Sequence, residues 1–176
     1  MKYNTREIFC LDASAFITMH RFYSIRMIPD LWSHIEDLFN RKEILSHQTV
    51  FDEIVPKTGK KDELAQWLSS FRTNFISITQ RQLELVPDIL SNFPKLIDPE
   101  SEKDQADPWL VAMLVEIMGQ DGMFGDQSDY IMVTTESEKK ATKLPAACKY
   151  YNIRHMNLFE FFEANEFKFS VTKLSK

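Results

Sequence analysis

The chain has 176 residues, which suits one domain, and a domain of that size buries about 70% of the surface that its unfolded form exposes. With 12% aromatic residues, 27% charged residues and only 4 glycines, the composition excludes a disordered or loop-rich protein. The formal net charge of -5 counts against a broad basic surface, but it is compatible with a cleft of clustered carboxylates.

Cysteine usage and hydropathy indicate the cellular compartment of the protein. Cys10 and Cys148 show neither metal-ligand spacing nor a disulfide framework, which predicts reduced thiols in a cytosolic setting. The N-terminal residues lack a signal-peptide apolar region. The longest apolar stretch, Trp109 to Met118, contains Glu116 and is too short to span a bilayer. We therefore expect a single cytoplasmic domain over residues 1–176 with no membrane-embedded part.

Strand and helix patterns alternate along the chain. Ile8 to Asp12 is a continuous apolar run that ends on a carboxylate, a pattern typical of a strand buried on both faces of a parallel sheet. Further strands are predicted over 44–46, 130–134 and 153–156, while 75–79 fits a strand or a loop. Helices are predicted over 14–21, 28–40, 48–55, 62–71, 80–92, 107–119, 144–151 and 158–164. The alternation predicts an α/β fold, a three-layer αβα sandwich with a mostly parallel central sheet.

The remaining segments are less regular. Residues 93–105 contain two prolines and several charges, which predicts an exposed connection, and the glycines of 119–129 predict a loop. The helix over 107–119 is apolar around almost its whole circumference, so we expect it to pack on several sides. Residues 167–176 alternate weakly and are either a small extra strand or a docking tail.

Four acidic residues stand out by their positions. Asp12 and Glu136 follow predicted strands, Asp107 opens the apolar helix, and Glu53 lies in the helix after the second strand. Each alone has an ordinary explanation as a helix cap or a solvated side chain. Parallel strands bring their carboxyl ends to one edge of a sheet, however, so these acids are expected to meet there.

Such a cluster has a chemical consequence. Neighbouring carboxylates repel and raise one another's pKa, so the cluster predicts a bound cation that offsets the repulsion. Hard oxygen ligands without cysteine or paired histidine favour Mg²⁺ or Mn²⁺ over Zn²⁺. A cation of this kind activates water and neutralises a phosphodiester, so phosphodiester hydrolysis fits this set of residues best.

The chain resembles the PIN-domain nucleases over nearly its whole length, and most closely a prokaryotic PIN-like group. Four motifs carry the resemblance: CLDASAF with Asp12 and Ser14, VFDEI with Glu53, ADPWLVA with Asp107, and IMVTTE with Thr134 and Glu136. Members of the family hold one or two divalent ions with three or four carboxylates and cleave single-stranded RNA. Many are toxins of toxin-antitoxin pairs.

The resemblance implies roles for six residues. Asp12, Glu53, Asp107 and Glu136 would be the catalytic carboxylates that bind Mg²⁺ or Mn²⁺. Ser14 and Thr134 would steady these ligands or the phosphate. It also implies an endoribonuclease with a small antitoxin as its protein partner, and it permits a homodimer.

Several alternatives stay open at this point. Asp52 and Glu53 flank the apolar face of their helix about equally, so only the resemblance selects Glu53. Glu136 stands where the family usually has an aspartate, and its reach to a metal is either direct or through water. Asp104, one turn before Asp107, is a further acidic candidate.

Two other functions compete with the nuclease. One is a catalytically silent PIN-like scaffold that binds a protein or RNA. The other is a haloacid-dehalogenase-like phosphatase, which expects a second aspartate two residues after Asp12, where this chain has Ser14. Basic residues such as Arg21 are more often solvated than bound to phosphate.

Overall fold

The computed structural model describes residues 5–100, 105–124, 128–137, 139 and 143–168, with the backbone alone for 121–124. The strands are β1 (Arg6–Leu11), β2 (Ile44–His47), β3 (Phe75–Ile76), β4 (Ser128–Val133) and β5 (Arg154–Met156). The helices are α1 (Ala13–Phe22), α2 (Pro29–Asn40), α3 (Gln48–Ile54), α4 (Glu63–Ser69), α5 (Gln80–Asn92), α6 (Asp107–Phe124), α7 (Leu144–Tyr150) and α8 (Leu158–Ala164). Short 3-10 turns lie at Arg72–Asn74 and Pro94–Leu96.

The five strands form one sheet in the order β3-β2-β1-β4-β5, and every described strand pair is parallel. β1 occupies the centre and pairs with β4 along its whole length, from Arg6 opposite Ser128 to Leu11 opposite Val133. The predicted α/β sandwich with a parallel central sheet is therefore confirmed. Because β1 and β4 end level with each other, the residues that follow them leave the sheet side by side.

Helices cover both faces of this sheet. α6 contacts β2 and β4 and packs against α5 and α7 on one face. α1, α3 and α4 pack together on the other, where Phe161 of α8 lies edge-on against Phe9 of β1 with ring centroids 5.0 Å apart. The middle of α6 is completely buried, as its apolar circumference predicted. In the described part of the chain, no helix has both the length and the apolar character needed to cross a bilayer.

Two of the predicted connections are wrong. Residues 119–129 are not a loop, because α6 continues to Phe124 and β4 begins at Ser128; residues 125–127 lie outside the description. A helix that is already held by packing tolerates an internal glycine, since each costs only about 1 kcal/mol relative to alanine. The connection over 93–105 is not wholly exposed either, because it contains a 3-10 turn in which Leu96 is buried.

Other boundaries differ in smaller ways. The helix predicted over 62–71 ends at Ser69, and the segment 75–79 forms a strand of two residues, Phe75–Ile76. In the predicted tail, Phe167 stacks on His34 with ring centroids 5.3 Å apart, and residues 169–176 lie outside the description.

Asn74 joins α2, β2 and the turn before β3. It is only 7% exposed, and its amide nitrogen donates to the carbonyl oxygens of Phe39 (2.8 Å) and Ile44 (3.1 Å). Its amide oxygen accepts a bond from Lys42 Nζ at 3.1 Å. We expect Asn74→Ala to lower the free energy of unfolding by about 1–3 kcal/mol, because two buried carbonyls lose a donor. Urea denaturation measures this, and Asn92→Ala at an exposed position of α5 is the control; equal losses in both variants would contradict the expectation.

Candidate functional site

Asp12 lies where the central strand ends. Its backbone N–H donates to the carbonyl oxygen of Val133 at 3.1 Å, which extends the pairing of β1 and β4 by one residue. The residue is only 2% exposed although its side chain is ionisable. The apolar run of β1 therefore delivers one carboxylate into the protein at the carboxyl edge of the sheet.

Protein donors surround the Asp12 carboxylate. Oδ1 accepts bonds from the Ala15 N–H (2.6 Å) and the Ser14 hydroxyl (2.8 Å), and the Thr134 hydroxyl donates to Oδ2 at 2.6 Å. Burial raises the pKa of Asp12 to about 6, and these hydrogen bonds act in the opposite direction. The ordinary explanation of Asp12 as a helix cap also holds, since the Ala15 bond caps α1. The same carboxylate thus caps a helix and belongs to the acidic centre.

Hydroxyl groups link Asp12 to the loop after β4. Thr134 Oγ1 donates to Asp12 and accepts a bond from the Glu136 N–H at 3.1 Å. Ser14 Oγ accepts bonds from the N–H of Thr135 (3.1 Å) and from its hydroxyl (2.9 Å). Ser14 and Thr134 therefore orient Asp12 and fix the course of the loop that carries Glu136.

Glu136 is held at both carboxylate oxygens. Oε2 accepts a bond from the Leu144 N–H, the first amide of α7, at 3.0 Å. Oε1 lies 3.4 Å from Lys143 Nζ. Glu136 therefore connects the loop after β4 to the beginning of α7.

Glu53 and Asp107 meet where α6 begins. Glu53 Oε1 accepts a bond from the N–H of Ala106, the residue directly before Asp107, at 2.8 Å. Burial lowers the pKa of His47, and the charge of Asp52 opposes this shift. Helical geometry could not choose between Asp52 and Glu53, and the structure places Glu53 at the beginning of α6. Asp104 lies outside the described residues.

The pKa of Asp107 reports how these acids are grouped. The pKa of Asp107 is raised to about 8, mainly by burial and then, in decreasing order, by the charges of Asp12, Glu136 and Glu53. The charge of Lys143 lowers it. The charges of three carboxylates from three other segments therefore act on Asp107. A carboxyl with this pKa is mostly protonated at neutral pH unless a cation joins it.

The sequence analysis missed two residues that position the site. His47 is fully buried, accepts the Thr49 N–H at Nδ1 (3.1 Å) to cap α3, and lies 3.1 Å from Gln82 Oε1 through Nε2. Its ring stacks on Trp109 of α6 at 5.8 Å between centroids. His47 thus fixes the helices that carry Glu53 and Asp107. Its place directly before a helix was the available signal, but histidine is not a common cap.

Lys143 is the second missed residue. It precedes α7 and pairs with Glu136, which links it to the acidic centre. A lysine in a charged turn gives no sequence signal for such a contact, because the contact depends on how the loop after β4 meets α7.

The donor chemistry of the site suits a hard divalent cation. Asp12, Glu53, Asp107 and Glu136 offer carboxylate oxygens, the ligands that Mg²⁺ and Mn²⁺ prefer. Over the part of the chain that the structure describes, no three His, Cys, Asp or Glu side chains converge closely enough to hold one ion as they stand. The oxygens of Asp12 and Glu136 accept hydrogen bonds from the protein's own donors.

Fold and site together define an α/β protein with an acidic, hydroxyl-rich centre at the carboxyl edge of its parallel sheet. The chain belongs to the family described as Domain of unknown function (DUF4411), whose profile matches residues 9–169. Among curated proteins, none matches the sequence.

Among solved structures, the chain is similar to the crystal structure of PAE2754 from Pyrobaculum aerophilum. The TM-score is 0.46, the identity is 13%, and the alignment covers 91% of this chain and 97% of that one. A likeness at this level carries no functional information.

The raised pKa of Asp107 predicts a pH-dependent loss of stability without metal. Its ordinary value is 3.8 and its folded value about 8, so between these pH values the folded state binds a proton that the unfolded state has released. The contribution of Asp107 to the free energy of unfolding is therefore fully present below about pH 4 and decreases as the pH rises to about 8. In Asp107→Asn we expect the free energy of unfolding to fall less over this pH range than it does in the wild type. Urea denaturation in EDTA at about pH 5 and pH 8 measures this difference. Asp37→Asn, at an exposed position of α2, is the control. Parallel pH curves for Asp107→Asn and wild type would refute the expectation.

Proposed function

We propose that this protein is a Mg²⁺- or Mn²⁺-dependent endoribonuclease that hydrolyses phosphodiester bonds of single-stranded RNA. The observation that carries the proposal is the electrostatic coupling of Asp107 to Asp12, Glu136 and Glu53. Like charges that act on the partly buried Asp107 are costly, and a divalent cation offsets that cost. The order and spacing of the motifs, which resemble those of PIN-domain nucleases, support the same proposal.

The chain's own residues have separable tasks in this proposal. Asp12, Glu53, Asp107 and Glu136 would hold the cation, which supplies water activation and charge neutralisation when bound. Thr134 and Ser14 keep the Asp12 carboxylate in one orientation by donating to it. Side chains that orient a ligand in this way commonly change metal affinity or activity 10- to 100-fold when they are removed.

A neighbouring cavity offers room for a substrate. It has a volume of about 440 Å³, and its lining includes Glu53 together with the apolar side chains of Ile17 and Ile54. Arg21 also lines it. Apolar walls suit an unstacked base and a guanidinium suits a phosphate, and single-stranded nucleic acid presents both together.

The biological setting of the proposal is a toxin-antitoxin pair. The toxin would act in the cytoplasm and be held inactive by a small antitoxin protein, and a homodimer is compatible with this role. The support is the resemblance to PIN-domain toxins. A short reading frame co-transcribed with this gene, whose product binds the protein and suppresses cleavage, is the expected finding; a gene without such a neighbour would remove the toxin role and leave the nuclease untouched.

One observation favours a second candidate, a PIN-like scaffold with weak or no catalysis that binds a protein or RNA. Both carboxylate oxygens of Glu136 are already engaged, by Lys143 and by the amide of Leu144. The affinity for a metal is lower when a ligand such as Glu136 must first break its contacts with two protein partners.

Replacing Asp12 tests the hydrolytic proposal. We expect Asp12→Asn to reduce Mn²⁺-dependent cleavage of single-stranded RNA to the level measured without metal, because the amide keeps the shape but loses the charge. Thr134→Val, which removes a donor to Asp12, should lower the rate by about 10- to 100-fold. A gel assay with labelled RNA measures both. Asp52→Asn is the control and should cleave normally; undiminished cleavage by Asp12→Asn would remove the proposal.

Calorimetry separates the enzyme from the scaffold. For the enzyme we expect Mn²⁺ to bind the wild-type protein in the micromolar range and binding to be lost in Asp107→Asn, since Asp107 lies among the other three acids. Asp37→Asn should bind Mn²⁺ as the wild type does. A wild-type protein that takes up no Mn²⁺ but still binds RNA would favour the scaffold.

A further inference from the structure

Lys143 places a positive charge at the acidic centre. Its Nζ lies 3.4 Å from Glu136 Oε1, and its side chain is 37% exposed. Its charge also acts on Asp107, where it opposes the effect of the three neighbouring carboxylates. The ammonium group is therefore close to the centre and accessible from solvent at the same time.

The local fold does not need this side chain. Lys143 precedes α7, but its side chain makes no capping hydrogen bond there. The first amide of the helix, that of Leu144, is bound by Glu136 Oε2 instead. An ion pair that is partly exposed adds little to stability. Lys143 can therefore give up part of its contact with Glu136 to meet another anion at low cost.

A nucleic-acid strand needs such a charge at this place. A polyanion that approaches Asp12, Glu53, Asp107 and Glu136 is repelled by each of them, and a cation beside them offsets the repulsion. The lysine ammonium is a compact charge with three donors on a flexible stem. It can keep one bond to Glu136 while it donates another to a phosphate oxygen.

We propose that Lys143 is a substrate-binding residue that holds a backbone phosphate of single-stranded RNA against the acidic centre. The inference rests on the proposed function and names the group that brings the strand to the site. A phosphate contact positions the strand without reading its bases. Lys143 therefore contributes affinity and position and does not select a sequence.

The test measures binding apart from cleavage. In EDTA, the fluorescence anisotropy of a labelled oligouridine is recorded with the wild type, Lys143→Met, Lys143→Arg and Lys149→Met over a range of salt concentrations. One phosphate contact to a single strand contributes about 0.7 to the slope of log affinity against log salt, so Lys143→Met should lose about 0.7. Lys149→Met should keep the wild-type slope, because Lys149 is an exposed lysine of α7 that lines a different cavity. Lys143→Arg should keep most of the slope, because it keeps the charge.

Each outcome decides the proposal. An unchanged slope in Lys143→Met, a slope that Lys143→Arg fails to restore, or a wild-type protein that does not bind oligouridine overturns it. If the melting temperature of Lys143→Met is unchanged, the loss of slope comes from the missing phosphate contact and not from unfolding. In turnover with Mn²⁺, Lys143→Met should raise KM with little change in kcat. A wild-type protein that binds oligouridine but leaves it intact with Mn²⁺ would refute hydrolysis and not the role of Lys143.

Discussion

The structure depends on one buried carboxylate at the end of its central strand. Asp12 accepts bonds from the hydroxyl of Ser14, the amide of Ala15 and the hydroxyl of Thr134, so a single side chain joins β1, α1 and the loop after β4. A buried charge is tolerated only when donors surround it. These bonds therefore both stabilise Asp12 and determine where the next acidic residue, Glu136, can lie.

The fold accommodates the remaining acids by the same means. Glu53 accepts the Ala106 amide just before α6, and Glu136 accepts the Leu144 amide at the start of α7. Each of these carboxylates, like that of Asp12, thus accepts a bond from an amide where a helix begins. Such amides have no hydrogen-bond partner inside the helix. Asp107 has no such bond among the described residues, and burial together with its three neighbours raises its pKa to about 8. The surroundings of Asp107 thus disfavour its ionised form, and a cation bound there would favour that form most.

A buried polar network holds the surrounding helices at fixed distances. His47 caps α3 and lies 3.1 Å from Gln82 of α5, and Gln82 donates in turn to Glu116 of α6 at 2.9 Å. Thr79 donates to the same Glu116 carboxylate at 2.8 Å. Networks that are fully satisfied favour one arrangement of their members. The network therefore helps to fix α3 and α6, the helices that carry Glu53 and Asp107.

The sequence by itself determined the class of fold and the positions of Asp12 and Glu136 at the edge of the sheet. Apolar runs that end on Asp12 and just before Glu136 indicate parallel strands, and parallel strands must present their ends together. Only the tertiary structure decided between Asp52 and Glu53, since both lie beside the same face of one helix and only Glu53 reaches the Ala106 amide. It also decided the length of α6, which continues through Gly119 because a glycine inside a helix costs only about 1 kcal/mol relative to alanine. The place of Lys143 was unpredictable for a similar reason: its partner depends on a loop path that periodicity does not describe.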